Sequence, residues 1–424
     1  MTPVPTEHDA LARTVRVEGA RILATLVRTV GDVRLAEDAV QEAVVAALGA
    51  WPVTGVPPEP RAWLTVTARR KAVDILRRER VRPHKERDAA LLAELEAPDV
   101  PTDDVVRDDL LRLVFTCCHP TLAPDARVAL ALRTLCGLSP AQVAAVTLSS
   151  EAATSKRLTR ARQKIATAGI PYRVPEPHEL PDRLPAVCAV VHALYTAGHA
   201  PVDGPAAFDV DVCAEALRLA ELLHELLPDE PMPAGVLALL LLTEARRPAR
   251  LDDRGDAVPL QAQDRGRWDA AMIARGTALL DASLCRTHGQ ADVYQLQAAV
   301  AAVHARAPRW AATDWPEVVR LYDLLLSVDP SDAAALARAV ATAEADGAAA
   351  GLALLDDVPA GPRRDAVRAE LLARQGRPAD AVRALDDALA GPATDVERRH
   401  RERRRAELAR DAAGVVDAGR VASG

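Results

Sequence analysis

RAWLTVTARRKAVDILRRERVR, residues Arg61 to Arg82, joins an apolar stripe to one of the densest clusters of positive charge in the chain. Leu64, Ala68, Ala72, Ile75 and Leu76 recur at helical spacing and are expected to face a core, while Arg70, Asp74, Arg77 and Arg78 fall on the opposite side. Between Arg61 and Arg87, ten Lys or Arg stand against three acids (Asp74, Glu79 and Glu86), a local net of +7 in a chain whose total is -7. Such a face is a solvated surface in many proteins and the electrostatic footprint of nucleic-acid binding in others. The rest of the sequence has to decide between them.

Working outward, 424 residues suffice for roughly two to four domains. Apolar residues make up 49% of the chain, but Trp, Tyr and Phe number only 5, 4 and 2. Ala, Leu and Arg, all strong helix formers, dominate, and β-branched runs bounded by turn signals are scarce, so an all-α protein is predicted. Residues 1–173 hold 25 basic and 21 acidic side chains and the remainder 28 and 39, giving +4 against -11. The two halves therefore suit different partners, with nucleic acid fitting the first and repelled by the second. MTPVPTEHDALARTVRVEG lacks an apolar signal core, and the longest strongly apolar stretch, Val236–Leu242, is too short for a bilayer. A cytoplasmic protein without membrane contact is expected, and six cysteines at this length make no disulfide framework.

Along the chain, a first helix is predicted over Ala10–Val30, ended by Gly31 and Asp32. The next, Arg34–Leu48, sets Ala36, Val40, Val44, Ala47 and Leu48 on one side and Asp38, Gln41, Glu42 and Val45 on the other. That second set is an acidic and polar patch, which helix solvation alone would explain. WPVTGVPPEP (Trp51–Pro60) reads as a Pro-rich loop leading into the basic helix. Residues 88–109, with seven acids against Arg107, read as an acidic linker, partly helical near Leu91–Leu95.

Helices resume at Leu110–Phe115 and Asp125–Leu135. Ser139, Pro140 and Gln142 then supply N-cap, first and third helical positions of a capping box. A short helix Pro140–Val146 and a longer one, Glu151 to about Ala166, follow. In the longer one Thr154, Leu158, Ala161 and Ile165 are the packing stripe, and Ala153, Lys156, Arg157, Arg160 and Lys164 project from the other side, the pattern of a helix-turn-helix. Prolines 171, 175, 177, 181 and 185 mark a second boundary, with helices predicted beyond it at 184–197, 211–227, 233–246 and 266–286. A faint repeat of two Ala-rich helices around a Gly covers Asp332–Val358 (Gly347) and Arg363–Leu389 (Gly376), suggesting tetratricopeptide-like hairpins.

Other clusters invite sharper readings. Cys117, Cys118 and His119 lack the spacing that lets two thiols chelate zinc, so core and turn roles are expected and no metal site. RRPAR (246–250) and DRGRW (264–268) have the chemistry for an anionic ligand, although Arg–Asp pairing or packing between helices is the simpler role. The run Arg398–Arg405 reads as an exposed helix. His192, His199 and His304 have no nucleophile to serve; no catalytic or cofactor-binding residue is expected.

Taken together, AEDAVQEAVVAALGAWP (Ala36–Pro52), PRAWLTVTARRKAVDILRRER (Pro60–Arg80) and SPAQVAAVTLSSEAATSKRLTRARQKI (Ser139–Ile165) resemble regions 2.2, 2.3 to 2.4, and 4.2 of extracytoplasmic-function RNA polymerase sigma factors, in that order. FTCCHPTLAPDARVALALRTLCGLS, AGIPYRVP, TEARRPARLDD, QDRGRWD and VYQLQAAVAAVHA resemble the subgroup with a long helical C-terminal extension bearing tetratricopeptide-like repeats. The resemblance implies region 2 over 1–87, an acidic linker at 88–109, a region 4 helix-turn-helix at 110–173, a Pro-rich linker at 174–183, a helical extension at 184–330 and repeats at 331–424.

The implied function is promoter specificity: binding core RNA polymerase, recognising the -35 and -10 elements and promoting melting, with the polymerase doing the chemistry. The alternatives are a helix-turn-helix regulator acting without polymerase and a helical-repeat scaffold. By resemblance, Asp38, Gln41, Glu42 and Val45 dock on the β′ clamp helices, and region 4 meets the β flap. Trp63, Arg69, Arg70, Lys71, Arg77 and Arg78 hold the opened -10 element, with Trp51 and Trp63 available for stacking. Ser150, Lys156, Arg157, Arg160 and Lys164 meet the -35 element. A regulatory protein or ligand is the further partner expected at the C-terminal domain.

Overall fold

The computed structural model describes residues 7–79, 103–147, 149–201, 204–287 and 289–421. Among these the fold is all-α, with β pairing limited to two isolated bridges. The chain divides into two compact units, Met1–Leu194 and Tyr195–Gly424.

The first unit begins with α1 (Glu7–Val30), α2 (Val33–Thr54) and α3 (Pro60–Glu79). The Asp32 carboxylate starts α2 by accepting the N–H groups of Arg34 and Leu35 at 2.8 and 3.1 Å. The packed side of α2 is a ridge of small residues, Ala36, Ala39, Ala43 and Ala47, which lets α1 and α3 approach closely. This corrects the expected register: Val40 and Val44 are half-buried and Leu48 is 44% exposed, because buried Leu35 and Trp51 at the two ends turn the alanines inward. The helix also runs through Pro52 and ends where the Gly55 N–H meets the Trp51 carbonyl at 2.9 Å, so the loop is shorter than expected. On α3, Leu64, Ala68 and Ala72 are buried and Arg70, Asp74, Arg77 and Arg78 exposed, as the spacing predicts.

Four helices follow: α4 (Asp103–Cys117), α5 (Pro124–Thr134), α6 (Pro140–Val146) and α7 (Glu151–Thr167). Residues 80–102, including most of the expected acidic linker, its Leu91–Leu95 helix and the end of the basic run, lie outside the described residues. The last part of that linker is helix instead: Asp109, in α4, is fully buried and accepts from Arg28 of α1 at 2.9 Å and from Arg112 at 3.1 Å. The Pro-rich stretch after α7 is anchored as well, since the Tyr172 hydroxyl lies 2.9 Å from the Ala24 carbonyl and 3.0 Å from that of Asp109. Helix α8 (Leu180–His199) starts inside that stretch, and the division between the units falls within it.

The second unit continues through α9 (Val210–Leu226), α10 (Pro231–Glu244), α11 (Ala270–Arg286), α12 (Val293–Arg306) and α13 (Trp315–Val328). The run Val236–Leu242 belongs to α10, which is apolar all round and buried all round, as a central helix must be. Two hairpins come next, α14 (Asp332–Asp346) with α15 (Ala348–Leu355) and α16 (Pro362–Arg374) with α17 (Pro378–Ala390). Gly347 and Gly376 make the predicted turns at φ 96° and 71°, a region closed to most side chains. Ala339 and Ala343 of the first hairpin share a cluster with Leu371 of the second, so each covers the other's apolar face.

The last helix, α18 (Asp395–Val421), is less free than its basic run suggests. Arg399 and Arg403 hold Asp256, Arg404 holds Glu370 at 2.8 Å, Arg405 holds Asp386, and Arg401 donates to the Ala388 carbonyl at 3.2 Å. Internal acids thus answer much of this charge.

Two buried histidines sit in the same unit. His199 stacks on Tyr195 with centroids 5.2 Å apart, and the Arg250 guanidinium donates to its Nδ1 at 3.1 Å, which requires a neutral ring. Burial, then Arg250 and Arg246, pull its pKa from 6.5 down to about 3. Burial, then Arg246 and Arg265, pull His304 down to about 4. Both folded values lie below the unfolded one, so the stability is fully present above pH 6.5 and is lost as pH falls toward the folded values. Thermal melting followed from about pH 7 to about pH 4 is expected to show this loss, with a shallower slope in a His199→Gln/His304→Gln variant. Equal slopes in the two proteins would remove these histidines from the pH response.

Candidate nucleic-acid interface

Three surfaces of the first unit carry the residues singled out above. On α2, Asp38, Gln41, Val45 and Leu48 are exposed at spacings of three, four and three, one continuous stripe. Val45 is 67% exposed, an apolar side chain left on a helix that buries its alanines. Glu42 is turned away from the stripe and half-buried, pairing with Lys71 at 3.6 Å and Arg78 at 3.5 Å on α3. The expected patch therefore splits, with Glu42 bridging α2 to the basic helix.

Along α3, Arg70 and Arg77 are exposed and Arg69 half-buried. Arg78 is exposed and also donates to the Asp74 carbonyl at 3.2 Å. Trp63 lies half-buried at the start of the helix, edge-on to Trp51 with centroids 5.7 Å apart. Trp51 itself is 1% exposed, so it supports Trp63 from below and is unavailable for stacking on a base. Its capture inside the core follows from its place on the alanine side of α2, which period counting from Arg34 to Leu48 did not reach.

The third surface is built by α6 and α7. The capping box forms as read: the Ser139 N–H donates to Gln142 Oε1 at 2.8 Å and the Gln142 N–H to Ser139 Oγ at 3.2 Å. The connecting turn is tied by Ser149 Oγ to Thr154 Oγ1, 2.6 Å apart. Thr154, Leu158, Ala161 and Ile165 are buried, as expected, which leaves Lys156 and Arg160 exposed and Arg157 half-buried on the outer side. Ser150 caps α7, its hydroxyl accepting the Ala153 N–H at 3.2 Å. Lys164 reaches the Thr121 carbonyl and so belongs in part to the internal bonding of the unit.

Glu37 was not anticipated. Although it is one residue from exposed Asp38, it is 7% exposed and accepts from Thr134 of α5 at 2.8 Å and from Arg162 of α7. Cys117 and Cys118 are buried, and burial raises both thiols, Cys118 to about 12, which keeps them protonated instead of presenting thiolates.

A three-helix group carrying a basic helix, followed by a capped helix-turn-helix, defines a DNA-binding initiation factor of the sigma-70 class, and comparison with known proteins agrees. Residues 15–82 match Sigma-70 region 2, residues 112–165 match Sigma-70, region 4, and residues 183–284 match a family of unknown function (DUF6596). An uncharacterized protein of Rhizobium meliloti is 39% identical over 373 residues, covering 85% of this chain and 86% of the relative. The probable ECF RNA polymerase sigma factor SigI of Mycobacterium tuberculosis is 34% identical over 183 residues, covering 42% of this chain and 62% of that protein. No solved structure matches. The chain belongs to the extracytoplasmic-function sigma factors, with a helical extension at its C-terminus.

Removing one partner of the Glu37 pair leaves a buried carboxylate short of its cation. Arg162→Met is expected to cost about 3 kcal/mol in denaturant unfolding, while exposed Arg160→Met stays within about 0.5 kcal/mol. Equal losses in the two variants would contradict a special role for the buried pair.

Proposed function

We propose that the chain binds core RNA polymerase through the α2 stripe, holds melted -10 DNA along α3, and reads the -35 element with α7. The observation that carries this reading is that Asp38–Gln41–Val45–Leu48, the basic face of α3 and the outer face of α7 are exposed surfaces of one sigma-type unit. Val45 and Leu48 give the stripe the apolar centre that a protein interface needs, and Asp38 and Gln41 its polar edge. The partner surfaces are the β′ clamp helices for α2 and the β flap for residues 110–173.

On α3, Arg70 and Arg77 offer phosphate contacts, with Lys71 and Arg78 exchanging Glu42 for DNA, and Trp63 is the stacking platform. On α7, Lys156 and Arg160 reach the major groove, Arg157 flanks them, and the helix start at Ser150 accepts a phosphate. Lys164, tied to Thr121, serves at the edge. No catalytic residue is needed, because the polymerase forms the RNA bonds. Residues 184–330 and a tetratricopeptide-like stack at 331–424 form a regulatory extension, and the site of action is the cytoplasm.

Run-off transcription with core polymerase is expected to yield promoter-dependent transcript only when this chain is present; duplex binding by the free protein without transcript would favour a regulator acting alone. Asp38→Arg and Val45→Asp should weaken core affinity without changing the melting temperature, and unchanged affinity in both would displace the docking face. Arg160→Ala is expected to cost about 1–3 kcal/mol at one base position of the -35 element. A uniform loss across sequences would reduce Arg160 to a phosphate contact.

A further inference from the structure

RRPAR and DRGRW converge in the second unit, and the charge they gather there is not answered by acids. Arg246 follows directly on α10, and its Nε is buried with no hydrogen-bond partner. Among the described residues its guanidinium forms no ion pair; the adjacent carboxylate, Glu244, is taken by Arg247 and by the Tyr195 hydroxyl at 3.0 Å. Asp264, the acid of the second motif, is spent on capping the Gly266 N–H at 2.9 Å. The simpler roles considered for these motifs, Arg–Asp pairing above all, are therefore not what Arg246 does.

Its neighbours are cationic or neutral. The charge of Arg246 acts on His304 and Tyr322, and the charges of Arg250 and Arg265 act on Arg246. Arg265 donates to the His304 carbonyl at 2.6 Å and lies over the Trp268 ring at 4.9 Å, so it is fixed in place. His304 Nδ1 and Trp268 Nε1 are further buried nitrogens without partners, and His304 is held between Trp310 and Trp315 at 6.1 and 5.4 Å. A guanidinium in such surroundings pays desolvation without return until an anion meets it.

We propose that Arg246, His304 and Tyr322 form the anion-accepting end of a small-molecule site in the C-terminal unit, whose ligand presents an oxyanion, carboxylate or phosphate, to Arg246. The fork of Arg246 supplies two parallel donors, His304 and Tyr322 add hydrogen bonds, and the tryptophans wall the site. This site stands apart from promoter recognition, since binding is measured on the full chain without polymerase or DNA.

The test titrates the full-length protein with inorganic phosphate and, separately, with succinate, each against chloride at equal ionic strength. Melting temperature and tryptophan fluorescence are the readouts. A saturable rise with one of the two probes, absent with chloride, is expected, and the probe that works identifies the oxyanion. Arg246→Gln should weaken that response roughly ten- to a hundredfold while leaving the ligand-free melting temperature equal or higher, because it removes an uncompensated charge. Arg246→Lys should bind more weakly than the wild type, and the exposed Arg267→Gln should respond as the wild type does. The proposal is overturned by no saturable response to either probe, by an undiminished response in Arg246→Gln, or by failure of that variant to fold, which would make Arg246 structural.

Discussion

The first unit closes on a single desolvated carboxylate. Glu37 lies on the packed side of α2, between alanines, where an unpaired negative charge would be untenable. It is tolerable because Thr134 and Arg162 deliver a hydroxyl and a guanidinium to it from α5 and α7. That meeting of three helices does more than neutralise a charge. Arg162 follows buried Ala161, so pinning it to Glu37 fixes the rotation of α7 about its own axis and thereby which residues face outward. The exposure of Lys156 and Arg160 is the other side of that constraint. Asp109 repeats the device between α1 and α4, held by Arg28 and Arg112.

A second consequence concerns the basic helix. Positive charge along α3 is held at low cost because Glu42 stands beside it, half-exposed, at distances of 3.5 and 3.6 Å from two of its cations. Pairs of this openness are worth little in water and exchange readily. Phosphate, carrying full charge and several acceptors, competes for the same cations on equal or better terms, so Glu42 keeps the helix quiet in the free protein without sealing it.

Local patterns were legible in the sequence, and long-range charge pairing was not. The Ser139–Gln142 box, the Leu64–Ala68–Ala72 stripe, the buried face of α7 and the two glycine turns all depend on residues within one or two helical turns of each other, and each appears where the periodicity puts it. Glu37 looks like its neighbour Asp38 in sequence, yet one is core and the other surface; the difference is set by Arg162, 125 positions away. Asp109 was taken for part of an acidic linker for the same reason, its partner Arg28 being 81 positions upstream. The register of α2 was missed because alanine is a weak hydrophobic signal: Val40, Val44 and Leu48 outweigh it by transfer energy, while close helix approach favours the smaller side chain.

The two units then treat buried charge in opposite ways. In the first, Glu37 and Asp109 each meet cations from other helices, and the unit gains a fixed geometry from them. In the second, Glu244 and Asp264 are consumed locally, and the guanidinium of Arg246 is left over beside neutral histidines. Chance placement of an arginine would be relieved by a rotamer reaching water, but the buried Nε and the fixed positions of Arg250 and Arg265 around it leave no such relief. An uncompensated cation held in this way is a standing cost to folding, and the physical condition that removes it is the arrival of an anion from outside the chain. The extension therefore has the means to couple its own stability to a small solute, which gives a regulatory domain something to sense.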